Sequence, residues 1–455
     1  MAKRPDILPL GNTLAIDTRG QFFNLSIWSS NTITFAFPTT AQDYSNNPGA
    51  YGFGELTNGF SPLSTQQAND FRNLFREISS FADITFEEVE IGADISVAST
   101  LQTSSAHTYL PNANGSERGD VWIANSSTFE NLDVGTYAGF ACLHEILHAV
   151  GAYHPHEIDE FDNQLDFMDY TVLSYNSTEG ASHSGYTNEP GSFAQSPMRL
   201  DIAALQSAYG ANWNHNSGDT EYAYDRVTGE LFINNKSQGA TNGGVIYQTI
   251  WDGGGTDHFD FSNFSDNGIF DLRSGGVMTF SDDHLAQVNA SQVASGNVFL
   301  AYSPDDTGHD LIENLTAGNG NDWIVGNIGK NRIIGAAGND RVFGLDGNDV
   351  LIGGDGNDLI RGGPGDDQIH AGTGRNIVIG GLGADRFVFD TGESKTIIRD
   401  FDYSEDQVIL PSEYQSLAGT WSTETGRAMY QLNDTEIVFH GYSANELDST
   451  IFTFA

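Results

Sequence analysis

The N-terminal part of the chain alternates polar and apolar positions in a way that predicts a small sheet beside one helix. Residues 31–37 read N-T-I-T-F-A-F, with β-branched and aromatic side chains at alternate positions, which is typical of a strand. Apolar residues then recur at helical spacing from Ala68 to Phe81, after the capping-box sequence S-T-Q-Q at 64–67. A helix is therefore predicted to begin after Ser64. Further strands are predicted at residues 84–89, 95–98, 106–111 and 120–123.

A second apolar pattern has a period of nine residues and occupies residues 317–388. Its unit is G-G-x-G-x-D-x-U-x, where U is apolar, and it stays in phase through eight consecutive units. One unit cannot bury its apolar residue alone, whereas stacked units can, so the repeat predicts a parallel β-roll. A disordered glycine-rich linker would not keep this residue in phase. The apolar residues are Ile324, Ile333, Val342, Leu351, Ile360, Ile369, Val378 and Phe387.

The same repeat contains the chemistry of a calcium site. Its glycines permit tight turns that expose carbonyl oxygens, and an aspartate in the sixth position adds a hard, charged oxygen. Asn331 and Asn376 fill this position in two weaker units. We therefore predict several structural Ca²⁺ ions in the turns. The aspartates in the sixth position are Asp322, Asp340, Asp349, Asp358, Asp367 and Asp385.

A formal net charge of −42 on 455 residues argues against nucleic acid and anionic membranes as partners. Bound calcium should offset much of this charge, so we expect the calcium-free protein to be self-repelling and partly unfolded. The length and a hydrophobic share of 38% are sufficient for two or three folded domains. The single cysteine, Cys142, excludes an internal disulfide. Because no apolar segment is long enough to span a bilayer, we expect no stable membrane insertion. We also expect a monomer.

Residues 144–154 spell the pattern H-E-x-x-H-x-x-G-x-x-H. On a helix, His144 and His148 project from the same face and can bind one ion. Gly151 can adopt the positive φ that ends the helix, and the reversed chain then brings His154 in as third ligand. Three neutral imidazoles with one open position are typical of catalytic zinc, because structural sites usually close with a fourth protein ligand. Glu145 is placed to accept a proton from the attacking water.

This pattern resembles that of the metzincin zinc proteases, and its surroundings resemble the serralysin-type bacterial members. His154 is followed by Pro155, as in that family. Serralysins continue with a turn of the form S-L-M-S-Y, and this chain has T-V-L-S-Y at 171–175. The helix that follows in the family is matched by residues 200–212. Leu173 replaces the family methionine, a near volume-conserving change expected to cost about 1.5 kcal/mol or less.

The resemblance implies an α+β metzincin protease domain at residues 21–215, followed by an all-β domain at 216–455. The second domain would contain the parallel β-roll of calcium-binding RTX repeats. Residues 1–20 would be a propeptide or a flexible N-terminus. The family leaves bacterial cells through a type I exporter that reads an uncleaved C-terminal signal, and residues 448–455 are similar in character to it. Since no signal peptide is legible at the N-terminus, we expect a secreted, extracellular bacterial protein exported without one.

For the catalytic site, the resemblance implies one Zn²⁺ held by His144, His148 and His154, with Glu145 as general base. Tyr175 would be a further zinc ligand in the resting enzyme that swings to hydrogen-bond the oxyanion. The alternative for Tyr175 is a buried turn tyrosine. Residues 106–111 would form the edge strand that pairs with an extended substrate.

For the calcium sites, the family's alternate turns face the same side of the roll, so an ion would be shared by units eighteen residues apart. The pairs expected to share an ion are Asp322 with Asp340, Asp340 with Asp358, Asp349 with Asp367, and Asp367 with Asp385. Two further acidic turns resemble family calcium segments, although both could equally be solvated turns. The ligands expected in them are Asp252, Gly254 and Asp257 in one, and Asp400 and Asp406 in the other.

Two functions remain open. The first is a secreted zinc-dependent endopeptidase that hydrolyses proteins and peptides and is stabilised by calcium. The second is a catalytically weak or inactive protein used for calcium-dependent binding or adhesion, as the loss of methionine at Leu173 would suggest. Because Glu145 and Tyr175 are both present, the sequence favours the enzyme.

Overall fold

The computed structural model describes residues 25–44, 51, 54–113, 115, 117–159, 161–181, 185–305, 307–392, 394–417, 419–424 and 426–455. The expected propeptide at residues 1–20 lies outside them. The chain divides into two compact units. The first contains Met1–His215, Thr241–Gly253 and His284–Asp306, and the second contains Asn216–Ala240, Gly254–Asp283 and Thr307–Ala455. Two segments from the region expected to be the second domain therefore fold with the first unit.

The first unit contains a five-stranded sheet and three α-helices. Its strands are β1 (Thr32–Ala36), β2 (Thr85–Glu88), β3 (Ile95–Thr100), β4 (Ala106–Thr108) and β5 (Val121–Ala124). They lie in the order β2-β1-β3-β5-β4, and only β4 runs antiparallel to its neighbour. The helices are α1 (Thr65–Phe81), α2 (Tyr137–Ala149) and α3 (Arg199–Tyr209). The predicted edge strand is present but ends at Thr108, three residues before Pro111.

Helix α1 begins as its sequence predicts. The Ser64 hydroxyl accepts a hydrogen bond from Gln67 N at 3.2 Å, and Gln67 Oε1 accepts one from Ser64 N at 2.8 Å. These bonds satisfy two backbone donors that a helix start leaves without partners. The apolar stripe predicted for this helix is buried. Its fully packed members are Ala68, Phe71, Phe75, Ile78 and Phe81.

Helix α2 is buried along nearly its whole length, which is typical of a helix that is apolar on all sides. The Thr136 side chain caps it by accepting a hydrogen bond from Gly139 N at 3.1 Å. The helix ends at Ala149, and Gly151 has a φ of +108°, as predicted. A Cβ atom at Gly151 would also collide with the carbonyl oxygen of Ser26, so only glycine fits. This turn directs the chain toward His154.

Thirty strands occur in the described residues, and most of the remaining ones belong to the second unit. The strands up to the repeats are β6 (Glu221–Tyr224), β7 (Leu231–Ile233), β8 (Lys236–Ser237), β9 (Gln248–Ile250), β10 (His258–Asp260), β11 (Ile269–Asp271), β12 (Val277–Thr279), β13 (Gln287–Asn289), β14 (Gln292–Val293) and β15 (Val298–Leu300). Those that follow are β16 (Asn314–Thr316), β17 (Trp323–Val325), β18 (Arg332–Ile334), β19 (Arg341–Phe343), β20 (Val350–Ile352), β21 (Leu359–Pro364), β22 (Gln368–His370), β23 (Gly374–Leu382), β24 (Arg386–Val388), β25 (Ser394–Ile398), β26 (Gln407–Leu410), β27 (Thr420–Glu424), β28 (Arg427–Leu432), β29 (Thr435–Phe439) and β30 (Phe452–Phe454).

Consecutive repeat strands alternate between two sheets of the second unit. One sheet has the order β30-β26-β24-β22-β20-β18-β16-β10-β6-β7-β8, and the other contains β27-β28-β29-β25-β23-β21-β19-β17-β11-β12. Strands eighteen residues apart pair in parallel, so that Ile324 lies beside Val342 and Val342 beside Ile360. All eight predicted apolar residues are at most 1% exposed. These strands fit the β-roll that the period predicts.

Short 3-10 helices connect several of these elements. They span Ala41–Asp43, Ser127–Phe129, Pro155–Glu157, Asn242–Gly244, Asp282–His284, Ser412–Tyr414 and Ser449–Ile451. Across the described ranges, no helix has both the length and the apolar content needed to cross a membrane.

Candidate metal centre

The three histidines of the sequence motif meet at one point. His144 and His148 project from α2, and His154 follows the turn at Gly151. Their Nε2 atoms are separated by 3.1 Å (His144 to His148), 3.1 Å (His144 to His154) and 2.9 Å (His148 to His154). A tetrahedral zinc ion with Zn–N bonds near 2.0–2.1 Å would hold its ligands about 3.3 Å apart. The arrangement therefore fits one zinc ion after a small outward adjustment.

Hydrogen-bond acceptors beside the other ring nitrogens orient these imidazoles. Nδ1 of His144 lies 2.8 Å from the carbonyl oxygen of Val172, and Nδ1 of His148 lies 2.6 Å from that of Ala152. Glu157 Oε2 is 3.1 Å from Nδ1 of His154, although without hydrogen-bond alignment. A proton on Nδ1 of His144 and of His148 leaves a lone pair on Nε2 of both rings, which is the tautomer that a metal needs.

Burial also keeps the three rings neutral. Desolvation lowers the pKa of His144 and His148 below the usual histidine range and lowers the pKa of His154 to about 3. Three neutral rings that point their lone pairs at one another repel, whereas a cation between them satisfies all three. The donor set therefore matches the zinc that the motif predicts.

Glu145 lies one residue after the first histidine and is buried. Burial raises the pKa of its carboxyl to about 7. The backbone carbonyl of Glu145 accepts a hydrogen bond from the Thr108 hydroxyl at 3.0 Å. This bond joins edge strand β4 directly to the turn of α2 that carries the predicted base.

Tyr175 reaches the same point from the loop before α3. Its hydroxyl oxygen lies 2.7 Å from Nε2 of His154, and its ring stacks on that of His144 with centroids 5.8 Å apart. Desolvation by burial raises the pKa of the Tyr175 phenol, so this hydroxyl keeps its proton near neutral pH. The structure thus brings the three histidines and the Tyr175 hydroxyl together, and Glu145 lies next to His144 on the same helix.

Sequence reasoning missed the residue that holds the turn of Tyr175 in place. Asp201, in the first turn of α3, accepts hydrogen bonds from the Thr171 hydroxyl at 2.5 Å and from Val172 N at 2.8 Å. A third bond comes from Met198 N at 2.8 Å. Because the Val172 carbonyl oxygen also lies 2.8 Å from Nδ1 of His144, Asp201 orients this predicted metal ligand through one intervening residue. An acidic residue in the first turn of a helix is a feature that the sequence alone shows, because such residues stabilise helix starts. The sequence did not show that its hydrogen-bond partners lie about thirty residues earlier in the chain.

The turn forms without a methionine at its centre. Leu173 is 3% exposed, and its backbone N donates to the Thr171 hydroxyl oxygen at 3.0 Å. Met168, the nearby methionine, is buried too, and its backbone N–H donates to Asn176 O at 3.0 Å. The hydrogen bonds of the turn therefore do not depend on a thioether.

In the second unit, the sixth-position residues of the repeats form two stacked rows. Ladder A contains Asp322, Asp340, Asp358 and Asn376, and ladder B contains Asn331, Asp349, Asp367, Asp385 and Asp406. At each step, Oδ1 of one residue accepts the backbone N–H of the preceding rung at 2.8–2.9 Å. The predicted pairs eighteen residues apart are therefore direct neighbours. Asp406 extends ladder B after a longer loop.

The second oxygen of each repeat aspartate is left without a protein partner. Within the described part of the chain, Oδ2 of six carboxylates is buried and accepts no hydrogen bond; these belong to Asp322, Asp340, Asp349, Asp358, Asp367 and Asp385. Burial raises the pKa of these carboxyls to about 6 or 7. Buried oxygens without donors are costly unless a cation binds them. Their hard oxygen chemistry fits calcium.

The other expected calcium ligands have different surroundings. Asp252 is buried in the first unit, whereas Gly254 and Asp257 belong to the second, where Asp257 Oδ1 accepts a bond from Thr220 N at 2.8 Å. Asp400 accepts bonds from Gly380 N and Gly381 N, both at 3.0 Å. Calcium at these two turns stays a prediction.

Comparisons with known proteins address both parts of the chain. A family model described as the RTX calcium-binding nonapeptide repeat matches residues 307–342, 316–351 and 352–387. The metallopeptidase AprA of Pseudomonas marginalis is 31% identical over 66% of this chain and 61% of its own length. Serralysin B of Dickeya chrysanthemi is 32% identical over 64% and 58%, and a serralysin of Proteus mirabilis is 30% identical over 66% and 60%. The chain thus spans about three-fifths of the length of these curated relatives.

Proposed function

This chain is related to the serralysin-type metalloproteases and carries RTX repeats, and on that premise we propose that it is a calcium-stabilised zinc endopeptidase. One observation carries the proposal. Three imidazole Nε2 atoms lie within 3.1 Å of one another, and a tyrosine hydroxyl lies 2.7 Å from one of them, while Glu145, the neighbour of His144 on the helix, is buried. A structural zinc site would usually provide a fourth protein ligand that binds permanently.

His144, His148 and His154 would hold the zinc ion. When bound, zinc lowers the pKa of water and polarises a carbonyl group, which is the chemistry that peptide hydrolysis requires. The protein contributes the fixed orientation of the rings. The carbonyl groups of Val172 and Ala152 hold two of them through Nδ1.

Glu145 is the proposed general base. Its carboxylate accepts the proton of the attacking water and then delivers it to the leaving amine. Its buried surroundings bring its pKa close to neutrality, where a carboxyl can perform both transfers. Because the Thr108 hydroxyl of β4 donates a hydrogen bond to the Glu145 backbone, the position of the proposed base relative to the edge strand is fixed.

We propose that an extended peptide substrate binds along β4. This strand is the last in the order of the described five-stranded sheet. An edge strand offers unpaired backbone donors and acceptors, so a peptide can add to it as a further strand. Protein and peptide substrates are therefore expected. We also propose that the protein is a monomer that leaves the cell by type I export. Outside the cell, calcium is abundant enough to fill the sites of the roll.

A cleavage assay tests the function. We expect the calcium-loaded protein to cleave casein, to stop when 1,10-phenanthroline is added under excess calcium, and to recover when zinc is restored. The chelator removes transition metals and leaves calcium, so this result would assign the activity to zinc. One bound zinc per chain without cleavage would contradict the endopeptidase and favour a calcium-dependent binding protein.

Tyr175→Phe is expected to lower kcat by about 10²–10³-fold while KM changes little, because a donor to the developing oxyanion acts mainly in the transition state. The measurement is steady-state cleavage of a fluorogenic peptide together with zinc content. The Tyr186→Phe variant is a matched control, since Tyr186 packs against Tyr175 with ring centroids 6.3 Å apart. An unchanged kcat in Tyr175→Phe would remove this hydroxyl from the mechanism.

A further inference from the structure

Two of the eight repeat units have asparagine where the other six have aspartate, and both asparagines stand at a ladder end. Asn376 is the last rung of ladder A, and Asn331 is the first rung of ladder B. An exposed basic residue precedes each of them, Arg375 before Asn376 and Lys330 before Asn331. In the six aspartate units, the preceding residue is asparagine, aspartate or alanine. The substitution is therefore accompanied by a change of local charge in both places.

The amide of Asn376 has a fixed orientation. Its Oδ1 accepts the backbone N–H of Asp358 at 2.9 Å, just as a ladder aspartate would. Its Nδ2 must then occupy the place of the second carboxylate oxygen. There it donates to the carbonyl oxygens of Gly372 at 3.2 Å and Thr373 at 3.3 Å. An amide NH₂ group, with its partial positive charge, thus points at backbone oxygens of the turn.

The amide of Asn331 belongs to a closed network with Asn327. Oδ1 of Asn331 accepts Asn327 N at 2.7 Å, and Nδ2 of Asn331 donates to Asn327 Oδ1 at 2.8 Å. The Asn327 amide donates in turn to Ile312 O at 2.9 Å. Both asparagines are buried, and their amide groups have protein partners. This differs from the six ladder aspartates, whose Oδ2 atoms have none in the described residues.

We propose that the turns of Asn331 and Asn376 are calcium-free ends of the two ladders, in which an amide donor takes the place of the cation. The proposal rests on the calcium binding proposed above. Ions are then confined to pairs of consecutive aspartates, such as Asp340 with Asp358. Between Asp358 and Asn376, one of the two carboxylates is missing and Arg375 adds a positive charge, so a calcium ion would lose much of its attraction.

The test is the calcium count of the full chain, measured by native mass spectrometry and by metal analysis after equilibrium dialysis. We expect Asn376→Asp to bind one more calcium ion per chain than wild type, because it restores a carboxylate pair with Asp358. Asn357→Asp is the matched control. Asn357 directly precedes Asp358, the neighbouring rung of ladder A, and its side chain is exposed. The same change there should therefore leave the number of bound calcium ions unchanged. The double variant Arg375→Asn/Asn376→Asp also reproduces the N-D sequence of the units at 339–340 and 357–358 and should gain the ion as well.

Two other results would contradict the proposal. If Asn376 were itself a calcium ligand through its amide oxygen, Asn376→Ala would lose an ion, and this would overturn the proposal. Failure of both aspartate variants to gain an ion, in a protein whose wild type binds several, would also overturn it. A wild-type chain that bound no calcium would instead overturn the calcium binding on which the proposal rests.

Discussion

Glu145→Gln is expected to lower kcat for peptide hydrolysis by about 10²–10⁴-fold while one zinc ion stays bound. Glutamine has nearly the same shape as glutamate and can still form hydrogen bonds, but it cannot accept a proton. The loss would therefore report on proton transfer and not on a collapsed site. Zinc binding should persist because His144 and His148 are oriented by Val172 and Ala152, which the change does not touch.

The measurement pairs the rate of fluorogenic-peptide cleavage with the zinc content of the same sample. Glu130→Gln is the matched control, because Glu130 is an exposed carboxylate near the start of α2 and should leave both quantities unchanged. A kcat within tenfold of wild type would exclude Glu145 as the base. Loss of zinc together with activity would show that its carboxylate has a structural role instead.

Local patterns in the sequence predicted the elements that carry the candidate metal centre. The cap at Ser64 and the apolar stripe of α1 are short-range features, and the structure contains both. The spacing of the three histidines also fixes much of the centre, because a helix and one glycine turn are enough to bring them together. In the second unit, the nine-residue period correctly predicted eight buried apolar residues of the roll, each at most 1% exposed.

Long-range contacts could not be read in this way. Asp201 holds Thr171 and Val172 across about thirty positions, and no periodic signal links these segments. The addition of residues 241–253 and 284–306 to the first unit is a further example, since β9 and β15 pair with each other across fifty positions. The amide orientation at Asn376 also depends on Asp358, one full turn of the roll away. Such pairings are set by tertiary packing rather than local propensity.

Removal of calcium is expected to destabilise the second unit strongly at pH 8 and much less at pH 5. The six ladder carboxyls have pKa values raised by burial to about 6 or 7, from an ordinary value of 3.8. In the ion-free fold they bind protons that the unfolded chain releases near pH 4. Their stabilising contribution is therefore complete below about pH 4 and is lost as the pH rises through 6 and 7.

Calcium reverses this dependence, because the carboxylates bind the ion only after losing their protons. Each filled site adds about 2.7 kcal/mol when free calcium is a hundredfold above the dissociation constant. We therefore expect the urea midpoint of the calcium-loaded protein to be higher at pH 8 than at pH 5. With EGTA, the order should invert, and circular dichroism of the strands would follow both transitions.

The net charge of −42 would also destabilise the calcium-free chain as the pH rises, so a variant must separate the two causes. Asp367→Asn removes one ladder carboxyl from the middle of ladder B, at a position where asparagine is tolerated in two other units. It should flatten the EGTA pH dependence between pH 5 and 8, because one fewer proton is taken up on folding. Asp434→Asn removes the same formal charge from an exposed turn and should leave the dependence unchanged. Equal effects of the two variants would assign the pH response to overall repulsion and contradict a role for the ladders.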